Sequence, residues 1–143
     1  MKIFLDTADC EQIQKHFASG LIDGITTNPT LIRKSGRIPE DVYQELKGIG
    51  LTDISMEVVG NCEEMISEGY RLNDLFGDVT TIKVPCTPDG LKACKELSGS
   101  GIKVNVTLIF SQVQAILASK AGATYVSPFV GRVDDNSFGG LCL

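Results

Sequence analysis

Positive charge is in short supply in this sequence. Thirteen Lys and Arg stand against eighteen Asp and Glu, a formal charge of −5, which leaves no basic footprint for nucleic acid or for an anionic membrane surface. Any anion bound here must be met by a local site. Histidine occurs once, at His16, so no second imidazole is available to build a metal site. Cys10, Cys62, Cys86, Cys94 and Cys142 include no C-x-x-C pair, and they are expected to be reduced, mostly buried thiols without a metal. Apolar runs of membrane-spanning length are absent, and the amino terminus resembles a signal peptide only until Asp6 interrupts it. Nothing in the sequence directs the chain away from the cytoplasm. No G-x-G-x-x-G loop follows the first apolar stretch, so the dinucleotide-binding signature is missing.

What the sequence does hold is one core's worth of apolar residues, 43% of 143, arranged with a repeating grammar. Residues 2–6 read as a short strand, and 8–19 carry Cys10, Ile13 and Phe17 at helical spacing before Gly20. Gly24 to Thr27 repeats the strand, and Pro39 opens a helix with Val42, Leu46 and Ile49 on one stripe. Ile54 to Val59 is a third strand, followed by Asn61 and Glu64 as a cap-like start to a helix bearing Met65, Tyr70 and Phe76. Asp78 to Pro85 is the fourth strand, and Thr87-Pro88-Asp89 starts a helix with Leu91, Cys94 and Leu97. Lys103 to Ile109 is the fifth; Ser111 caps a helix with Val113, Ile116 and Leu117, and Gly122 ends it. Tyr125 to Val130 makes the sixth.

Strict strand-helix alternation predicts a parallel sheet with right-handed crossovers. Such a sheet is either an open doubly wound layer or a closed (β/α)8 barrel. Besides the missing glycine-rich loop, the position of the polar residues favours the barrel. Each unit ends in a reactive or hydrogen-bonding side chain: Asp6; Thr27 and Asn28; Glu57; Lys83; Thr107; and Arg132 beyond Phe129. In a barrel the carboxyl ends of the strands converge on one mouth, which hosts the active site. Singly, each has an ordinary account. Asp6 is placed to cap the first helix, Asn28-Pro29 to form a turn, Thr107 to sit in a strand, and Arg132 to be solvated. Glu57 is harder to dismiss, because a carboxylate inside Ser-Met-Glu-Val-Val is costly to bury without a partner.

Lys83 is the central case. A strand-end lysine ordinarily carries its charged tip to water past an apolar stem. In a closed pocket, desolvation instead disfavours the charged amine and lets it attack a carbonyl as a Schiff-base nucleophile. A lysine flanked by two carboxylates, an amide and a hydroxyl can then use the imine as an electron sink. Neither a metal nor an organic cofactor is required.

Phe4-Leu5-Asp6-Thr7-Ala8, Gly24-Ile25-Thr26-Thr27-Asn28-Pro29-Thr30, Ile82-Lys83-Val84-Pro85 and Tyr125 through Asp135 resemble the small transaldolases and the similar fructose-6-phosphate aldolases. The resemblance runs in collinear order from Lys2 to about Asp135. It implies a (β/α)8 barrel in which Lys83 forms the Schiff base and Asp6 takes the proton from the C4 hydroxyl of a ketose phosphate. Asn28, beside Thr27, would hold the dihydroxyacetone end, Glu57 and Thr107 would handle water and protons, and Arg132 would meet the phosphate. Glu57 and Phe129 stand where the aldolases carry glutamine and tyrosine, so the chain looks like a transaldolase. The resemblance further implies sugar-phosphate substrates, the pentose phosphate pathway, a homo-oligomer and a cytoplasmic location.

One departure from the family pattern is large. Six units in 143 residues average about 24 each, so eight would need about 190. A single partial barrel domain over 1–143 is expected, its last two units missing, with Ser137 to Leu143 as the start of a helix cut short. The alternatives are a non-catalytic fragment or weak sugar-phosphate binder of the same family, and a fructose-6-phosphate aldolase. An unrelated open-sheet nucleotide binder would leave Lys83 and Glu57 unexplained.

Overall fold

The computed structural model describes residues 2–28, 30, 32, 36–136, 139, 140 and 143. Among these, strands and helices alternate as β1 (Phe4–Asp6), α1 (Cys10–Phe17), β2 (Gly24–Thr26), α2 (Pro39–Ile49), β3 (Ile54–Glu57) and α3 (Cys62–Phe76). They continue as β4 (Thr80–Pro85), α4 (Pro88–Gly99), β5 (Lys103–Ile109), α5 (Gln112–Lys120), β6 (Tyr125–Pro128) and α6 (Val130–Asp135). The strands follow one another across the sheet in chain order, β1 to β6. A doubly wound sheet reverses its order at a switch point, whereas a barrel does not. The fold is therefore of the (β/α)8 barrel class, with six units present.

Three differences from the sequence reading concern element ends. Asp78 and Val79 belong to a 3-10 turn, Gly77–Val79, so β4 begins at Thr80. β3 stops at Glu57, which is half-buried at the last strand position rather than inside the strand. Arg132 sits on α6, a short helix that the β-branched run after Tyr125 had concealed. Of the residues assigned to the truncated last helix, Ser137, Phe138, Leu141 and Cys142 lie outside the described residues.

The chain divides into two compact units, Met1–Glu57 with Arg71–Thr81, and Val58–Tyr70 with Ile82–Leu143. In the first, β1, β2 and β3 pair in parallel, with Asp6 opposite Thr26 and Ile25 opposite Ile54. Gly24 is required where β2 passes between its neighbours: a Cβ there would run into the Phe4 ring and the Asp53 carbonyl. Helix α1 is capped by Asp9, whose Oδ1 accepts from the amides of Glu11 and Gln12 at 3.1 and 3.2 Å. Helix α2 starts on Pro39 and ends on left-handed Gly50, burying Val42, Tyr43 and Leu46. The Tyr43 ring meets Phe76 edge-on at 5.8 Å. At the foot of β3, Asp53 is fully buried; it accepts from Thr81 Oγ1 at 2.6 Å and lies 3.8 Å from Lys2 Nζ.

In the second unit, α4 opens on the Thr87 cap and Pro88 and buries Ala93, Cys94 and Leu97. Its first turn presses on the end of β4 so closely that a Cβ at Gly90 would run into the Pro85 carbonyl. Strands β5 and β6 are parallel, and β5 carries an extra residue: Val106 pairs with Val126, but Ile109 pairs with Pro128. On helix α5 the apolar Val113 and Ile116 are 65% and 66% exposed, and Ala118 is the residue it buries. The helix is apolar on both sides, so periodicity could not say which side faces β5 and β6.

Candidate functional site

Two clusters hold the residues singled out above, one in each unit. In the first unit, parallel pairing sets the last residue of β1 beside the last residue of β2, and Thr26 Oγ1 donates to Asp6 Oδ1 at 2.9 Å. Because Asp9 caps α1, the Asp6 carboxylate is released from the structural task its sequence position suggested. Thr27 is buried one residue further on, its hydroxyl donating to the Ser55 carbonyl at 3.1 Å. That hydroxyl is engaged with backbone, so Thr27 shapes the strand end. Asn28 is half-buried, and its carbonyl accepts from the amide of Ile32 at 3.2 Å.

The second cluster is built on β4, β5 and β6. Lys83 is 6% exposed, which corrects the ordinary expectation of an amine carried to water. Its carbonyl accepts from the Val58 amide at 3.0 Å, fixing the strand on that side. On β5, Asn105 and Thr107 are buried two residues apart and so share a strand face. Thr107 Oγ1 is a buried hydroxyl with no hydrogen-bond partner, a costly arrangement in an interior unless a water or ligand group completes it. Ser127 Oγ donates to Asn105 Oδ1 at 2.9 Å. Neither Asn105 nor Ser127 was expected among the site residues. An asparagine inside Val-Asn-Val-Thr was the available signal, since a buried amide in a strand needs partners.

Beyond β6, the Phe129 ring packs edge-on against Phe110 at 5.5 Å, and the Arg132 guanidinium stands 5.4 Å from the centre of the Phe129 ring. Arg132 is exposed, so its donors are open to an anion. An open hollow of about 400 Å³ is lined by Phe110, Ser111, Val113 and Val133 among others. Its described lining carries no charge and includes none of the expected site residues, which makes it a poor seat for a phosphate.

Among the described residues the four cysteines Cys10, Cys62, Cys86 and Cys94 are free thiols, and only Cys94 is buried, fewer than the sequence suggested. Burial raises the Cys86 thiol above its ordinary value and pushes Cys94 up to about 11. Cys10 is raised too, by burial first and then by the Glu45 carboxylate. At Cys10 the Arg37 guanidinium, whose Nη1 donates to the sulfur at 3.4 Å, opposes that rise without cancelling it. Among the described residues no group of three or more His, Cys, Asp or Glu side chains is arranged to hold a metal ion, and no helix is long and apolar enough to cross a membrane.

The profile of the family "Transaldolase/Fructose-6-phosphate aldolase" matches residues 3–139. The chain belongs to that family. A "Probable transaldolase" of Nitrosopumilus maritimus is 55% identical over 144 residues, which cover 100% of this chain and 64% of the relative. Another of the same description, from Geotalea daltonii, is 55% identical over 142 residues, covering 99% of this chain and 66% of its own length. The chain thus spans a little under two thirds of these curated relatives. Among solved structures, the carboxyl transferase domain of Rhizobium etli pyruvate carboxylase matches 87% of this chain and 26% of its own, with a TM-score of 0.52 and 14% identity. That likeness is one of fold alone.

Proposed function

We propose that the chain carries the nucleophile of a transaldolase, moving a dihydroxyacetone unit from a ketose phosphate to an aldose phosphate. The observation that carries this reading is a lysine withdrawn from water on β4, at 6% exposure. An amine withdrawn from water in this way is placed to act as a Schiff-base nucleophile toward a carbonyl.

In this reading the Lys83 amine attacks C2 of the ketose, water leaves, and the imine draws electrons from the C3–C4 bond. Asp6 accepts the C4 hydroxyl proton as that bond breaks, and an aldose phosphate departs. Asn28 and Thr27 define the pocket for the dihydroxyacetone end. The enamine on Lys83 adds to an acceptor aldose, and hydrolysis returns the amine, with Glu57 and Thr107 placing the water. The unpartnered hydroxyl of Thr107 suits that task. Arg132 meets the phosphate. Phe129, without a hydroxyl, leaves the enamine waiting for an acceptor, which favours transfer over simple aldol cleavage. The imine supplies the electron sink, so the reaction calls on no resident metal or organic cofactor. A cytoplasmic homo-oligomer acting on sugar phosphates of the pentose phosphate pathway completes the proposal.

Borohydride reduction with fructose 6-phosphate tests it. Intact protein is expected to gain the mass of the reduced adduct on Lys83, and Lys83→Met to gain none; no adduct on the native chain would overturn the reading. With erythrose 4-phosphate present, steady formation of sedoheptulose 7-phosphate is expected. An adduct without turnover would support the second reading, a non-catalytic sugar-phosphate binder. Free dihydroxyacetone formed without acceptor would indicate an aldolase.

A further inference from the structure

Leu108 has φ of 61°, the one positive value found at a non-glycine residue among those described. Leucine adopts the left-handed region against a clash of its Cβ with its own backbone, and glycine adopts it freely. The residue lies in β5 where the register against β6 slips by one: three residues separate Val106 from Ile109, two separate Val126 from Pro128. Thr107 and Leu108 therefore face Ser127 together, which is a β-bulge. The Leu108 side chain is 37% exposed, between Thr107 at 3% and Ile109 at 1%. Core packing does not explain why leucine accepts this backbone.

The hydrogen bonds on either side do. The carbonyl of Thr107 accepts from the Cys86 amide at 2.8 Å, tying it to the residue after β4. The carbonyl of Ile109 accepts from the Phe129 amide at 2.9 Å, tying it to the residue after β6. Leu108 is the only residue between those two anchors, and its φ sets how far apart they stand. From Ile109 the arrangement continues through Phe129 to the Arg132 guanidinium, 5.4 Å from the ring centre. Thr107, on the other anchor, presents the unpartnered buried hydroxyl.

We propose that Leu108 is a positioning residue for the phosphate end of the substrate: its left-handed bulge holds Phe129 and Arg132 in register with Thr107 and Lys83's strand. The proposal rests on the Schiff-base reading above. Strain kept at a single backbone position beside functional groups is the pattern that supports it.

The test measures borohydride trapping on Lys83, in which hydride reduces the imine to a secondary amine, against the concentration of two ketones. Fructose 6-phosphate carries the phosphate and dihydroxyacetone lacks it. In Leu108→Val, whose branched Cβ resists positive φ, the half-saturating fructose 6-phosphate concentration is expected to rise about tenfold, the loss of one charge-assisted contact. The value for dihydroxyacetone is expected to stay within about twofold. Leu108→Gly, which keeps the conformation, should restore the native response to both. Arg132→Ala should reproduce the tenfold rise, and adding Leu108→Val to it should change nothing further. If the valine variant fails to fold, Leu108→Ala takes its place with the same expectation. An unchanged fructose 6-phosphate response in the valine or alanine variant overturns the proposal, as does an equal rise for both ketones, which would mark a merely structural role. Absence of trapping in the native chain with either ketone is a different result: it removes the Schiff-base reading, and this proposal with it.

Discussion

At the scale of single residues, two buried polar groups show how environment decides role. Asp53 and Lys83 are both ionisable side chains placed in the interior, and Asp53 is met there by Thr81 Oγ1 at 2.6 Å and Lys2 Nζ at 3.8 Å. A buried carboxylate depends on such donors. Thr81→Val is therefore expected to destabilise the chain by about 2 kcal/mol in urea denaturation, and a change below about 0.5 kcal/mol would show that the contact contributes little. Cys94 offers a pH test. Its folded value of about 11 lies above the usual value for an unfolded cysteine, about 8.5. Below the lower value both states hold the proton, and the contribution is fully present. Between the two, the unfolded thiol ionises and the folded one does not, so stability falls as pH rises. Thermal melts are expected to show a steeper loss across this window in the native chain than in Cys94→Ala. Equal slopes would remove Cys94 from the account.

At the scale of elements, helix starts were the most legible feature and strand ends the least. Asn61 and Glu64 form the reciprocal box that their spacing implied: the Glu64 amide donates to Asn61 Oδ1 at 3.0 Å, and the Asn61 amide to Glu64 Oε2 at 2.8 Å. Asn61→Ala, which takes the acceptor from the Glu64 amide and leaves the bond from the Asn61 amide to Glu64 in place, is expected to cost about 1 kcal/mol in urea denaturation. Caps are read well because they are local: a side chain and an amide three residues away decide them. The other end of α3 is tied differently. Lys47 Nζ of α2 donates to the Phe76 carbonyl at 2.9 Å, a bond between residues far apart in sequence that no local pattern announces. Gly90 belongs here as well. Because the Pro85 carbonyl occupies the space a Cβ would need, Gly90→Ala is expected to lower stability by about 2 kcal/mol and to disturb the strand that carries Lys83. Calorimetry would detect the first effect and adduct formation the second.

At the scale of the whole molecule, exposed apolar side chains are spread along the chain, from Leu21 and Ile38 to Val59 and Leu75, and three of them, Val113, Ile116 and Leu117, share α5. Several exposed apolar side chains on one helix promote association. Sedimentation at rising concentration is expected to show self-association, which Ile116→Lys and Val113→Lys should weaken without lowering the melting temperature. A monomer at every concentration would contradict the expectation.

Alternation of strand and helix, and with it a parallel sheet, was legible in the sequence alone, because a parallel sheet needs a crossover between strands and each crossover leaves its own cap, stripe and stop; the strand order then decided for the barrel. The lysine, the two carboxylates and the strand-end threonine could be named for the same reason: charged or reactive groups interrupt runs that are otherwise apolar. Tertiary structure alone decided that Asp9 caps α1 and leaves Asp6 to Thr26, that Asn105 reaches Ser127, and that α5 turns its valine and isoleucine outward. It also decided the left-handed turn at Leu108. Each depends on which backbone lies alongside, and pairing between distant segments is a quantity that local composition does not contain.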